Sequence, residues 1–113
     1  YHPMAIVPCG TMGPKRTMHD VVVGGPLCES GDIFTQEAGG FVCTRSLPAA
    51  EVGEYLVIEC AGAYGFVMGS NYNSKPLAAE VLISNGQPHL IRRRQTFDDL
   101  IAGESIPVPE RLP

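Results

Sequence analysis

At 113 residues, 44% of them hydrophobic and 18% charged, the sequence describes one ordinary globular domain, long enough to bury a core without disulfides or metals. A net charge of −4 gives the chain as a whole no drive toward nucleic acid or an anionic membrane. No apolar run approaches the roughly 20 residues that span a bilayer, and the first residues carry no export-signal pattern.

The chain opens Tyr1-His2-Pro3, without methionine, and passes directly into the apolar run Met4–Val7. This reads as entry partway into a strand of a longer protein. Gly13 and Pro14 mark a loop before a second strand expected over Asp20–Val23. Phe34 and Gly40–Thr44 predict weaker strands. Val52-Gly53-Glu54 is a turn into a strand over Tyr55–Cys60. A short helix is expected within Tyr64–Asn71. Val81–Ser84 and His89–Arg92 are strands, and Asn85-Gly86 between them predicts a hairpin, because both residues tolerate the positive φ of a type I′ turn. Thr96-Phe97-Asp98-Asp99 resembles a capping box with aspartate in the glutamate position. Phe97, Leu100 and Ile101 then share one helix face, and Gly103 supplies the stop. Ten prolines and thirteen glycines at these spacings predict a mainly β domain, a compact barrel or sandwich with one or two short helices, over residues 1–104. An extended or disordered tail follows over 105–113.

Two stretches carry the chemistry. Gly25-Pro26-Leu27-Cys28-Glu29-Ser30-Gly31-Asp32 sets a thiol beside a carboxylate among small residues. Gly62-Ala63-Tyr64-Gly65, running on to Ser70-Asn71-Tyr72-Asn73-Ser74, sets a phenol among glycines. Glycine weakens a strand interior but lets a ligand approach the backbone closely. A thiol, with an ordinary pKa of about 8.5, holds its proton at neutral pH yet can give it up, which suits a general acid serving a carbanion. A neighbouring carboxylate can bind a substrate ammonium. The plain alternatives are a packed cysteine, a solvated acid and a core tyrosine with its hydroxyl satisfied.

The remaining signals weigh toward structure. Cys9, Cys28, Cys43 and Cys60 contain no zinc spacing, and reduced thiols in a cytoplasmic setting are expected, with Cys43 and Cys60 buried. His2, His19 and His89 lack ligand spacing, so no metal site is expected. Arg92-Arg93-Arg94 reads as a solvated strand end, and no phosphate-loop pattern or nucleophile elbow is present.

In order along the chain, Gly25–Asp32, Gly62–Gly65, Ser70–Ser74 with Pro76, Glu80-Val81-Leu82, and Leu90–Arg94 with Thr96 resemble the carboxy-terminal domain of the diaminopimelate decarboxylases. These are pyridoxal-phosphate enzymes of the alanine-racemase-like fold type. The resemblance covers the chain up to about Glu104. Related ornithine and arginine decarboxylases typically carry aspartate where Glu29 stands. The resemblance implies a β-barrel domain paired with an N-terminal (β/α)₈ barrel that this chain does not contain. It implies a homodimer in which the cysteine–glutamate loop completes the partner's active site. It implies Cys28 as proton donor, Glu29 as the acid that binds the distal amino group of a small amino-acid substrate, and Tyr64 as a phenol contacting both the cofactor phosphate and the substrate. The reaction implied is meso-2,6-diaminopimelate to L-lysine and carbon dioxide, in lysine biosynthesis. Two alternatives stand beside it: a decarboxylase of another basic or diamino acid, and a non-catalytic association domain.

Two departures stand out. Lys75 occupies a position usually held by arginine, keeping the charge but losing a planar fork. The family's cofactor-bearing lysine also has no counterpart, since Lys15 and Lys75 sit in unrelated settings. The chain by itself is therefore expected to be inactive and to form no imine with pyridoxal phosphate. It is also expected to expose the apolar surface that meets the missing barrel.

Overall fold

The computed structural model describes residues 2–10 and 15–107, which fall in two compact units, 1–68 and 69–113. The expected loop at Gly13 and Pro14 and most of the 105–113 tail lie outside the described residues.

The first unit is built from two antiparallel ladders. Strand β1 (Met4–Val7) pairs with β4 (Tyr55–Ile58), with Met4 opposite Ile58 and Val7 opposite Tyr55. Ile6 and Val7 in β1, and Tyr55, Val57 and Ile58 in β4, are β-branched or aromatic residues, which pack well on a pleated surface. The Glu59 N–H donates to the Pro3 carbonyl at 2.9 Å, carrying the ladder one step further before Cys60 turns the chain at φ 56°. Strand β2 (Met18–Val21) pairs with β3 (Arg45–Pro48), with Met18 opposite Pro48 and Val21 opposite Arg45. Pro48 closes β3, as suits a residue with no N–H to give a ladder. Leu47, 6% exposed, is the buried apolar centre, facing an apolar cavity lined with it by Ile6, Val21, Val23 and Leu56.

An ion pair braces this unit. Arg16 donates from Nη1 and Nη2 to the two carboxylate oxygens of Glu54, at 2.5 and 2.6 Å, and from Nη1 to the Ala49 carbonyl at 3.0 Å. The Glu51 N–H donates to Glu54 Oε2 at 2.8 Å, so one guanidinium pins the turn around Gly53, whose φ is 98°. Arg16, and after it the Glu51 amide, hold the Glu54 carboxyl below the usual carboxylate range. A depressed folded pKa means that this stabilisation is complete above the unfolded value of about 4.3 and is lost as pH falls through the folded one. The melting temperature of Glu54→Gln is therefore expected to lie below that of the parent near neutrality, with the gap closing below about pH 4. A gap that stays constant in melts taken down to about pH 3 would contradict this.

The second unit carries the hairpin of β5 (Glu80–Ser84) and β6 (Gln87–Arg92), turning at Asn85 (φ 51°) and Gly86 (φ 74°). Glu80 is opposite Arg92 and paired with it as ions, and the register shifts between Glu80 and Val81. Helix α2 (Phe97–Ile101) begins with the expected capping box: Thr96 N–H donates to Asp99 Oδ2 at 2.7 Å. Asp99 also receives both Arg93 Nη atoms, at 2.6 and 2.7 Å. Gln95 Oε1 accepts from Asn71 Nδ2 and from the Leu77 N–H, tying the Asn71–Leu77 stretch to the end of the hairpin.

The architecture is mainly β with few short helices, as the sequence implies. Local boundaries differ. The second strand is Met18–Val21, not Asp20–Val23: the apolar Val21–Val23 run marks it, but Val23 leaves the ladder to donate its N–H to Thr35 Oγ1 at 3.2 Å. The Gly40–Thr44 strand and the one at Phe34 are replaced by isolated bridges, Gln36 to Val42 and Gly24 to Ile33, and the true strand is Arg45–Pro48. The fourth strand stops at Ile58, because Cys60 has a left-handed φ. The helix expected within Tyr64–Asn71 is a single turn, α1, at Gly62–Gly65, followed by a 3₁₀ turn over Tyr72–Ser74 in which Asn73 and Ser74 have positive φ. Cys60 is exposed in its turn, not buried, and Cys43 is only half-buried. None of the four cysteines forms a disulfide.

Candidate active site

The Cys28–Glu29 segment is an exposed loop with a fixed frame. A bridge between Gly24 and Ile33 closes its base, and the Phe34 N–H donates to the Val23 carbonyl at 2.8 Å behind it. Thr35, 1% exposed, anchors that base, its hydroxyl holding the Val23 amide and its carbonyl accepting the Cys43 N–H at 2.8 Å. Inside the loop the Gly25 N–H donates to the Asp32 carbonyl at 2.8 Å, and the Asp32 N–H to the Glu29 carbonyl at 3.1 Å. The frame leaves Cys28 and Glu29 on the surface. Glu29 Oε1 accepts from the Gly31 N–H at 2.9 Å and from Ser30 Oγ at 3.3 Å, which orients the carboxylate without burying it.

Tyr64 stands in α1, in the same compact unit, with 72% of its surface exposed. A Cβ built at Gly62 would meet no heavy atom within 4 Å, so the start of this turn is open on that side. No hydrogen bond ties the Tyr64 hydroxyl to another described residue. Its donor chemistry fits one phosphate oxygen, a partial share of what a phosphorylated cofactor needs. Cys43, by contrast, is unsuited to acid–base work. Burial pushes its thiol above the usual range and Glu37 adds to the shift, while Sγ lies 3.8 Å from the Phe41 carbonyl. Among the described residues there is no group of three or more histidine, cysteine or acidic side chains that could hold a metal, and no helix long and apolar enough to cross a membrane.

A family model described as pyridoxal-dependent decarboxylase, C-terminal sheet domain, matches residues 1–62, which include Cys28 and Glu29. The chain belongs to this family. It is 61% identical over 85 residues to the diaminopimelate decarboxylase of Escherichia coli K12, a match covering 75% of this chain and 20% of that protein. It is 52% identical over 106 residues to the enzyme of the same name from Buchnera aphidicola subsp. Schizaphis graminum, covering 89% of this chain and 25% of the relative. A crystal structure of diaminopimelate decarboxylase superposes with a TM-score of 0.87 at 52% identity, over 92% of this chain and 25% of the other. The diaminopimelate decarboxylase of M. jannaschii in complex with L-lysine superposes with a TM-score of 0.72 at 38% identity, over 90% and 21%. The chain thus spans about a fifth to a quarter of the length of the relatives it matches.

The structure brings Cys28 and Glu29 together on one loop and keeps all three candidate side chains exposed. The residues that shape that loop, Gly25, Asp32 and Thr35, receive no role from sequence reasoning. The one available signal was the spacing of Gly25 and Asp32 around the cysteine–glutamate pair.

Proposed function

We infer that the chain is the C-terminal part of a diaminopimelate decarboxylase, converting meso-2,6-diaminopimelate to L-lysine and carbon dioxide as a step of lysine biosynthesis in the cytoplasm. The observation that carries this is the closed loop presenting Cys28 and Glu29 outward, in a chain 61% identical to an enzyme of that name. In this reading the ladders belong to a β-barrel docked on an N-terminal (β/α)₈ barrel, which holds the imine-forming lysine. The loop completes the site of the partner in a homodimer. Exposed Leu82, Ile83, Leu90 and Ile91 on the hairpin accord with a surface that another region covers.

When bound, pyridoxal phosphate supplies the electron sink for the pair left on the substrate carbon as carbon dioxide departs. Cys28 then delivers its Sγ proton to that carbon, the new C–H bond replaces the broken bond to the carboxylate, and solvent reprotonates sulfur. Glu29 holds the distal ammonium, which sets the substrate's reach from the reacting carbon. Tyr64 donates to a phosphate oxygen and borders the substrate. An association-only domain would need none of these three groups at its surface. The test is turnover by the full-length protein on meso-diaminopimelate, ornithine, arginine and lysine. The expected result is a preference for meso-diaminopimelate, and faster turnover of any of the others would overturn the assignment.

A further inference from the structure

We propose that Asp32 is a positioning residue that clamps the Cys28–Glu29 pair at both ends. Its Oδ2 accepts from the Leu27 N–H at 2.7 Å, fixing the Pro26–Leu27 peptide one residue before Cys28. Its own N–H donates to the Glu29 carbonyl at 3.1 Å, fixing the peptide just after the acid. Its carbonyl accepts from the Gly25 N–H at 2.8 Å, locking the clamp to the base of the loop. One half-buried residue thus sets both ends of the dipeptide. Gly25 makes room for it: a Cβ built there would lie 2.1 Å from Asp32 Oδ1 and 2.2 Å from Oδ2. The side chain is spent on the loop itself, and the pair it frames points outward.

This inference rests on the decarboxylase reading, in which the thiol must face the reacting carbon. A misplacement of about 1 Å can cost 100-fold in rate. It also misdirects the proton. If the proton ends on the cofactor carbon, carbon dioxide is still released, but hydrolysis leaves a carbonyl compound and an aminated cofactor instead of the amine product. The substrate carbon is then oxidised as the cofactor is reduced, and the ratio of carbon dioxide to amine rises above one.

The experiment uses the pyridoxal-phosphate-loaded full-length enzyme, with hydrogen exchange over the Gly25–Ile33 peptide and the carbon dioxide to amine ratio as readouts. Asp32→Ala is expected to speed exchange in that peptide, to lower amine formation about 10- to 100-fold and to raise the ratio above one. Asp32→Asn keeps an acceptor for the Leu27 N–H and is expected to stay within about threefold of the parent. Gly25→Ala, whose Cβ displaces the carboxylate, is expected to reproduce Asp32→Ala, and it decides the matter if Asp32→Ala does not fold. Unchanged exchange, an unchanged ratio, a parent-like Gly25→Ala, or an Asp32→Asn as impaired as the alanine variant would each overturn the clamp. A full-length parent enzyme that releases no carbon dioxide from meso-diaminopimelate would sink the decarboxylase reading instead, and a Cys28→Ala control with undiminished amine formation would sink the proton-donor role of the thiol. An impaired Cys28→Ala beside a normal Asp32→Ala would sink only the clamp.

Discussion

Replacing Cys28 by alanine in the loaded full-length enzyme is expected to lower amine formation by about 100-fold or more, the usual share of a positioned general acid. Carbon–carbon cleavage does not itself need the thiol. Carbon dioxide release is therefore expected to outlast amine formation, with the excess appearing as aminated cofactor. Substrate binding should change little, because in the proposed reading Glu29, not the thiol, holds the distal amino group. The loop should also survive, since its frame is made by Gly25, Asp32 and Glu29 backbone groups and by the Asp32 carboxylate. Amine formed at an undiminished rate, one for each carbon dioxide, would show that the proton comes from elsewhere.

Glu29→Gln is expected to strike recognition instead. Glutamine retains an oxygen for the Gly31 N–H that Glu29 Oε1 now accepts, so the loop geometry is kept while the charge is removed. A hydrogen bond to a charged group contributes more than a neutral one. The kcat/KM for meso-diaminopimelate should fall about 10- to 100-fold. A substrate lacking the distal ammonium should be affected far less, so discrimination between the two collapses. Steady-state kinetics on both substrates checks this; a uniform loss on both would mean that Glu29 acts on the reaction itself or on the loop, not on the distal amine.

Where local chemistry settles a feature, it was readable in the sequence. Asn85-Gly86 must turn because both residues accept positive φ, and the capping box at Thr96 and Asp99 is complete within four residues. Features settled by distant partners were not readable. Arg45–Pro48 is no obvious strand, with a charge and a proline at its ends, and it exists because β2 offers it a ladder. Arg16 and Glu54 lie 38 residues apart and meet only once the fold forms. Cys60 follows an apolar run and looks buried, yet the positive φ at that position ends the strand and leaves the thiol exposed. At the candidate site the reactive residue types were legible because glycine and other small residues surround them. The frame was not, because Asp32 reads as one more loop acid until its carboxylate is seen against Gly25 and the Leu27 amide.

In the proposed enzyme a sulfhydryl, a carboxylate and a phenol from two separate segments of this chain serve one substrate. A crystal structure of the loaded homodimer with L-lysine bound is the decisive test of that placement. Tyr64 Oη is expected within about 3.2 Å of a phosphate oxygen, and the Glu29 carboxylate of one subunit at the same range from the distal amine in its partner's site. Cys28 Sγ should lie within about 4 Å of the carbon that loses its carboxylate. Any of the three turned toward bulk solvent in that complex would contradict it.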